Sequence, residues 1–265
     1  MSEHVTLDIQ DNIATLTLNR PEARNALSTE MQEGLAEYLT QVDMDSNVRC
    51  VVLKGEGGHF MAGGDIKGFR ERQNLSQEEK RGHLFRKIHD LHYVVYRMRK
   101  MPKPIIAGVQ GAAAGAGVSL VAACDMAIAA DSAFFTLAYA MIGLSPDASS
   151  TFFLPRIMGM KKAFEMMYLA ERLDAQTAKE FGLINRVVPE AELNKAVDEM
   201  AKRLAAGPTF AYGRGKALLN SSLNETLESQ LEKEAFAIAD CMASEDFDEG
   251  TKAFVEKRLP QFKGK

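Results

Sequence analysis

The sequence predicts an α/β protein, with alternating strands and helices in its first part and an all-helical C-terminal extension. Three observations carry that prediction. Short β-branched runs alternate with runs of helical spacing as far as residue 149. Two glycine-rich loops, "FMAGGDI" and "GAAAGAG", each lead into a helix-like segment. Beyond residue 149 the pattern is mostly helical, interrupted by one strand-like run, "GLINRVV", at 182–188.

The elements follow in order. "HVTLDIQDNIATLTLNRP" reads as two strands joined at Asp11-Asn12, with Val5, Leu7 and Ile9 alternating in the first and Ile13, Leu16 and Leu18 marking the second. Pro21 ends the pair. Leu27, Met31, Leu35, Leu39 and Val42 then recur at helical spacing, with Ser28 or Thr29 as N-cap. "VRCVVLKG" reads as a short buried strand. A long helix is expected over 76–101, its apolar stripe formed by Leu84, Ile88, Leu91, Val95 and Met98. "KPIIAGV", "MAIAA" and "AFFTL" read as strands, and "GAAAGAGVSLVAACD" as a glycine-rich turn into a small-residue helix. Helices are expected over 190–206, 209–220, 224–243 and 246–257. The division proposed on this basis is a core over 1–196 and a helical region over 197–265.

Composition narrows the class. A chain of 265 residues with 46% hydrophobic and 26% charged residues suits one large domain, or one domain with an appendage. A net charge of −4 gives no general attraction to nucleic acid or to an anionic membrane. The three cysteines, Cys50, Cys124 and Cys241, form no CxxC pair, and an odd number argues against a disulfide framework. The opening residues run directly into strand-like alternation rather than a secretion signal. The longest apolar run, around "VSLVAACDMAIAA", is broken by Asp125 and is too short to span a bilayer. The expectation is a cytoplasmic protein without a membrane or nucleic-acid partner.

The two glycine-rich loops are the first candidate for chemistry. Glycine lets a backbone approach a ligand closely, and a helix start presents free N–H groups in a positive field. Two such loops facing one point would make an oxyanion hole, each donor contributing about 2.7–4 kcal/mol to a developing enolate. Tight helix–strand packing at small residues is the competing reading, and the residues alone leave both open. Neither loop carries GK[ST] or fits GxGxxG after a strand, so neither reads as a phosphate loop.

Asp147 is the second candidate. It stands in "AYAMIGLSPDASSTFFLPR", an otherwise apolar and small stretch whose only other charge is the closing Arg156. Ser145, Pro146 and Asp147 as N-cap, N1 and N2 would start a helix. Equally, a carboxyl among Ile142, Leu144, Phe152, Phe153 and Leu154 would have a raised pKa. One group could then both take and return a proton near neutral pH. These readings are compatible. Of the five histidines, His89 and His92 share a helix face, but no third ligand accompanies them and no metal site is expected. No GxSxG and no Cys–His pair suggests a nucleophile. The stretch "RERQNLSQEEKRGH" reads as a solvated face or a loop beside a site.

The segments "LNRPEARNALS", "AGGDI", "PKPIIAGVQGAAAGAG", "CDMAIAA", "IGLSPDASSTFFLPRIMG", "GLINRVVP" and "AFVEKRLPQFKGK" appear in the order and spacing of the crotonase (enoyl-CoA hydratase/isomerase) family. The chain resembles that family over nearly its whole length. The resemblance implies a crotonase-like spiral of ββα turns with a helical C-terminal extension. It implies an acyl-CoA thioester as substrate, no further cofactor, no metal, and a homotrimer or a dimer of trimers. It assigns the oxyanion amides to Gly64 and Ala116. It assigns CoA contacts to Arg24, Asn25, Ala26 and Leu27, to Ala62, Asp65 and Ile66, and to Phe254 and Lys257 of the tail. Where hydratases of the family carry two glutamates, this chain has Ser119 and Tyr139. Its carboxylate appears further on, at Asp147, as in the 1,2-epoxyphenylacetyl-CoA isomerase-like and enoyl-CoA isomerase members. The dehalogenase members use a nucleophilic aspartate at this position, but with tryptophan in place of Tyr139. The resemblance therefore implies an isomerase with Asp147 as its single base, ahead of a hydratase, an Asp-nucleophile hydrolase or dehalogenase, or a non-catalytic acyl-CoA binder. Residues 68–95 with Tyr139, Met141 and Phe152 are expected to shape the acyl pocket.

Overall fold

The computed structural model describes residues 2–70 and 74–265. β1 (Val5–Gln10) and β2 (Ile13–Leu18) form an antiparallel hairpin in register from Val5↔Leu18 to Gln10↔Ile13. Its two-residue turn holds Asp11 and Asn12 at φ 50° and 63°, the left-handed pair that matches strand twist. α1 (Thr29–Met44) is capped by Ser28, whose hydroxyl accepts from Met31 N, and buries Met31, Leu35, Tyr38, Leu39 and Val42. β3 (Cys50–Gly55) pairs parallel with β2. The first glycine loop leads into the short α2 (Ile66–Arg70). Of the charged stretch over 70–83, residues 71–73 lie outside the described residues. Ser76 and Glu79 close a capping box on α3 (Gln77–Lys100).

The chain then alternates between two sheets. β4 (Ile105–Val109) joins the large sheet, β5 (Ala112–Ala114) the small one, and α4 (Ala116–Ala123) follows. The next turn repeats this with β6 (Met126–Ala130), β7 (Phe134–Thr136) and α5 (Ser150–Leu169). β8 (Leu173–Asp174), α6 (Ala175–Glu180) and β9 (Arg186–Val188) complete the core. The large sheet has the order β1-β2-β3-β4-β6-β9, parallel apart from its hairpin edge, and the small one β5-β7-β8. Single bridges, Leu27↔Gly64 and Met61↔Ala113, extend the small-sheet pattern to the earlier turns. This is the spiral of ββα turns. α7 (Leu193–Ala205), α8 (Thr209–Ser222), α9 (Leu227–Met242) and α10 (Glu245–Glu256) form the helical extension.

Both faces of the large sheet are covered, as a parallel sheet requires. Ala14, Leu16, Val51, Leu53, Ile105, Ala107, Ala127 and Ala129 face the main core with α1, α3 and α4. The alternate residues Ile13, Cys50, Val52, Ile106 and Ile128 meet Leu193, Val197, Met200 and Ala201 of α7. Position 197 thus lies within a helix that packs on the sheet, so the division at 196/197 cuts the core.

Four local expectations are corrected. α5 begins at Ser150, so Ser145-Pro146-Asp147 does not start it; Ala148 and Ser149 are left-handed (φ 49° and 79°) and hold 145–149 as an irregular approach. The strand expected over 182–188 shortens to Arg186–Val188. α6 lies in a stretch read as mostly helical, but the two-residue strand β8 before it has no counterpart in that reading. Only the C-terminal half of α3 serves the main core, through Leu91, Val94, Val95 and Met98. Leu84, at 38% exposure, and the half-buried Ile88 lie outside the closed core.

A charge cluster fastens the extension to the core. Lys216 of α8 donates to Asp125 Oδ2 at 2.7 Å and to the Lys103 carbonyl at 3.0 Å. Asp125 also accepts from Ile105 N at 2.9 Å and lies 3.4 Å from Arg99. Among the described residues no helix is long and apolar enough to cross a membrane. Lys216→Met removes one partner from this nearly buried pair. Because Arg99 remains, the expected loss is about 3 kcal/mol, the low end for breaking such a pair. It should appear as a lower urea midpoint with an unchanged slope.

Candidate active site

The two glycine loops meet edge to edge. Met61 N donates to the Ala112 carbonyl at 3.0 Å, and Ala114 N returns a bond to the Met61 carbonyl at 2.8 Å. A Cβ on Gly117 would stand 2.7 Å from the Met61 oxygen, so any side chain there would push the loops apart. Gly115 turns the chain from β5 into α4 at φ 50° and ψ −116°, a conformation open to glycine. On the far side, Ala62 N donates to Arg24 O at 2.9 Å and Leu27 N to Gly63 O at 2.7 Å. The segments around residues 24–27, 62–65 and 113–117 are thereby stitched into one wall.

That wall borders a cavity of about 440 Å³. Gly64, Ala116 and Asp147 all line it, with Leu27, Tyr139 and Leu144 among their neighbours. Among the described residues the amides of Gly64 and Ala116 donate to no protein acceptor. The Ala116 amide is also the first of α4, where the helix dipole adds positive potential. The cavity therefore offers two unsatisfied donors and a carboxylate at one boundary, which suits a carbonyl that must carry negative charge while a proton moves beside it.

Asp147 is held by main chain and side chain together. Its carbonyl accepts from the hydroxyls of Ser119 at 3.1 Å and Ser150 at 3.0 Å. Its Oδ1 accepts from the Tyr139 hydroxyl at 2.6 Å. Burial raises the Asp147 carboxyl above the usual range, and the Tyr139 hydroxyl and the charge of His92 offset only part of that. Burial and the neighbouring carboxylate push the Tyr139 phenol upward, so it stays a donor. The second acid on the wall, Asp65, differs. Partial burial works to raise it, but the Gly68 amide and the Arg20 guanidinium, 2.9 Å away, outweigh this and hold it below the usual range.

The structure brings Leu27, Ala62, Gly64, Asp65, Ile66, Ala116, Tyr139 and Asp147 to this one cavity. It does not bring all the expected residues there. Asn25 is fully buried; its amide group donates to the carbonyls of Glu56 and His59 and accepts from Arg20 N. Its side chain braces the turn below the wall and does not line the cavity. Arg24 and Ala26 lie beside the wall without lining it, and Arg24, at φ 52°, closes the preceding 3-10 turn. Phe254 and Lys257, exposed at the end of α10, do not line the cavity of this single chain. Phe152 is also absent from it and stacks under Arg156, whose guanidinium sits 3.8 Å from the ring centre. Within 68–95 the lining residues are Gly68, Phe69, His83, Leu84, Lys87, Ile88 and Leu91. Ser28, Thr29 and Gln32 were missed. Their signal was adjacency: once Leu27 reaches the wall, the first turn of α1 must follow.

Comparison with known proteins agrees with this geometry. Residues 8–265 match the enoyl-CoA hydratase/isomerase family. The chain is similar to 1,2-epoxyphenylacetyl-CoA isomerase of Escherichia coli K12, 38% identical with all of both chains covered. It is also similar to 4-chlorobenzoyl coenzyme A dehalogenase-2 of an Arthrobacter species, 34% identical over 97% of this chain and 92% of the other. Among solved structures, an enoyl-CoA hydratase from Polaromonas sp. JS666 superposes with a TM-score of 0.92 at 34% identity, covering 97% of this chain and 99% of that one.

A raised carboxyl pKa is a stability cost with a defined sign. Asp147 binds its proton more tightly folded than unfolded, so the cost is complete above its folded pKa and vanishes below the unfolded value, 3.8. Asp147→Asn should therefore melt at a higher temperature than the parent at pH 7. The difference should shrink toward zero as the pH falls to about 4, measured by thermal unfolding across that range.

Proposed function

The chain belongs to the enoyl-CoA hydratase/isomerase family, and we propose that within it this protein moves a double bond along an acyl-CoA thioester. The observation that carries the reading is the single available base. Of the two carboxylates on the cavity wall among the described residues, Asp65 is tied to Arg20 and only Asp147 lacks a bonded cation. A hydratase must activate water as well as manage the α-proton. An isomerase needs one group that removes a proton and returns it elsewhere.

The chemistry follows from the wall. The thioester oxygen accepts hydrogen bonds from the amides of Gly64 and Ala116. Asp147 takes a proton from C2 of a 3-enoyl thioester, and the electron pair of that C–H bond spreads into a dienolate whose negative oxygen faces the two amides. The carboxyl group then delivers the proton to C4, leaving the 2-enoyl ester and a regenerated carboxylate. A ring-derived CoA ester, the class named for the Escherichia coli relative, fits the same proton shuttle. Because the carboxyl is raised, turnover should decline on the acid side at a higher pH than an exposed aspartate would give.

Asp147→Asn should lower turnover by roughly 10²–10⁴-fold while CoA-ester affinity stays within a few-fold, measured by isomer formation and calorimetry. Full turnover in that variant would remove the assignment. Two rivals are separated by labels. An Asp147 nucleophile would place solvent ¹⁸O in the product or in Asp147, whereas isomerisation places none. A non-catalytic binder would leave substrate α-protons unexchanged in D₂O.

The same reading assembles the chain as a homotrimer or a dimer of trimers, with the tail serving a neighbouring copy. Its support is apolar surface: Leu219, Leu223, Leu227, Phe236 and Ile238 are each more than 60% exposed, and Phe254 is 85% exposed. Light scattering should return three or six times the 29.2 kDa chain mass, and a monomer would rule the assembly out.

A further inference from the structure

The base is more constrained than proton transfer by itself requires. The backbone carbonyl of Asp147 is clamped by two hydroxyls, from Ser119 on α4 and Ser150 on α5. The two residues that follow are left-handed and non-glycine, so residue 147 has little freedom to turn about its own main chain. What remains is rotation of the carboxyl plane, and the Tyr139 hydroxyl addresses that directly through a 2.6 Å bond to Oδ1. Tyr139 is 9% exposed, and it is fixed by the 3-10 turn over Ala138–Ile142 and by the ring's approach to Gly115, where a Cβ would stand 3.6 Å from Cζ.

We propose that Tyr139 is the positioning residue of this site: by donating to Oδ1 it leaves Oδ2 as the one oxygen of Asp147 that handles the migrating proton. The inference rests on the isomerase reading of Asp147. In the forward direction Oδ2 forms an O–H bond as the substrate's C2–H bond breaks. On return that O–H bond breaks and a C4–H bond forms from the π electrons of the former C3–C4 double bond. Tyr139 keeps its hydrogen throughout. One oxygen serving both carbons confines the transfer to one face of the acyl plane, because the carboxyl cannot swing its second oxygen to the opposite face.

The same bond bears on ionisation. A donor to the charged carboxylate favours the anion and opposes the burial of Asp147. The other titratable residues lining the cavity among the described residues are His83 and Lys87 of α3 and Asp65 of the first glycine loop, with His92 of α3 nearby outside the lining; α4 contributes none. Of these, His92 acts on Asp147 through space, and none donates to its carboxylate. Removing the phenolic hydroxyl while leaving the ring should therefore raise the pH at which activity is lost, without altering the thioester's contacts.

Tyr139→Phe is the test. The acid limb of kcat/KM should move up by about one to two pH units, the worth of a hydrogen bond to a charged group. The plateau kcat should fall roughly ten- to a hundredfold as the carboxyl gains rotational freedom, with KM within about twofold. A purely structural role would lower the melting temperature and leave the limb in place, and an unmoved limb overturns the inference. Should the phenylalanine variant not fold, 3-fluorotyrosine at position 139 gives the opposite arm. Its more acidic phenol is a stronger donor, so the limb should move down; no movement overturns the inference equally. Asp147→Asn, measured in parallel, separates the two layers. If that variant isomerises at the parent rate, Asp147 is not the base, and the reading on which the role of Tyr139 rests fails with it. If it is inactive while Tyr139→Phe matches the parent, the assignment of Asp147 stands and only the role of Tyr139 fails.

Discussion

The site depends on one close approach: two backbone loops touch so tightly that Gly117 has no room for a side chain. Met61 exchanges hydrogen bonds with β5, and Gly117 lies so near the Met61 carbonyl that a Cβ would stand 2.7 Å from it. Each loop alone is a strand end leading into a helix, which many α/β proteins contain. Pressed together, they bring Gly64 and Ala116 to the same cavity, and neither amide has an acceptor among the described residues. Donors left unsatisfied in the folded chain are available when a carbonyl oxygen gains charge, and no reorganisation is needed at that moment.

The acid opposite them is governed by a second balance. Burial acts to neutralise Asp147, while the Tyr139 hydroxyl and the charge of His92 act to ionise it. Asp65 shows the other outcome on the same wall: with a guanidinium 2.9 Å away it is pinned as an anion and committed to structure. Two carboxylates of similar intrinsic acidity are separated in this way by their neighbours. This contrast is what singles out Asp147 as the proposed base.

How much of this could be read in the chain varies by the range of the interaction. The hairpin turn at Asp11-Asn12, the Ser28 cap and the extent of α3 were legible because each is decided within a few residues. The stripe on α3 was legible as apolar but not as to what it meets: Leu91, Val95 and Met98 enter the core, whereas Leu84 and Ile88 face the cavity. Periodicity reports a face, not its partner. Ser145-Pro146-Asp147 has the chemistry of a helix start, yet Ser119, far away in sequence, holds the carbonyl of residue 147 and the chain turns left-handed before α5 begins. Asn25 follows the same pattern. Its neighbour Leu27 lines the cavity, but its own side chain faces the other way, into the backbone of residues 56 and 59.

The two positions where hydratases of this family are expected to carry glutamates hold hydroxyls in this chain, as the proposed one-base reading requires. Ser119 and Tyr139 do not leave gaps; both point their hydroxyls at residue 147, one to its carbonyl and one to its carboxylate. On the proposed reading, the residues at these two positions hold the base rather than act as bases. A serine hydroxyl and a phenol of raised pKa remain neutral at any pH where the carboxylate works, so neither competes for the proton nor repels the anion. A second carboxylate at either position would lie close to the first, and like charges at that range push one partner toward its protonated form. The replacement therefore simplifies the titration of the cavity to one group. On the proposed reading, the same replacement leaves these two positions without a second acid to activate water.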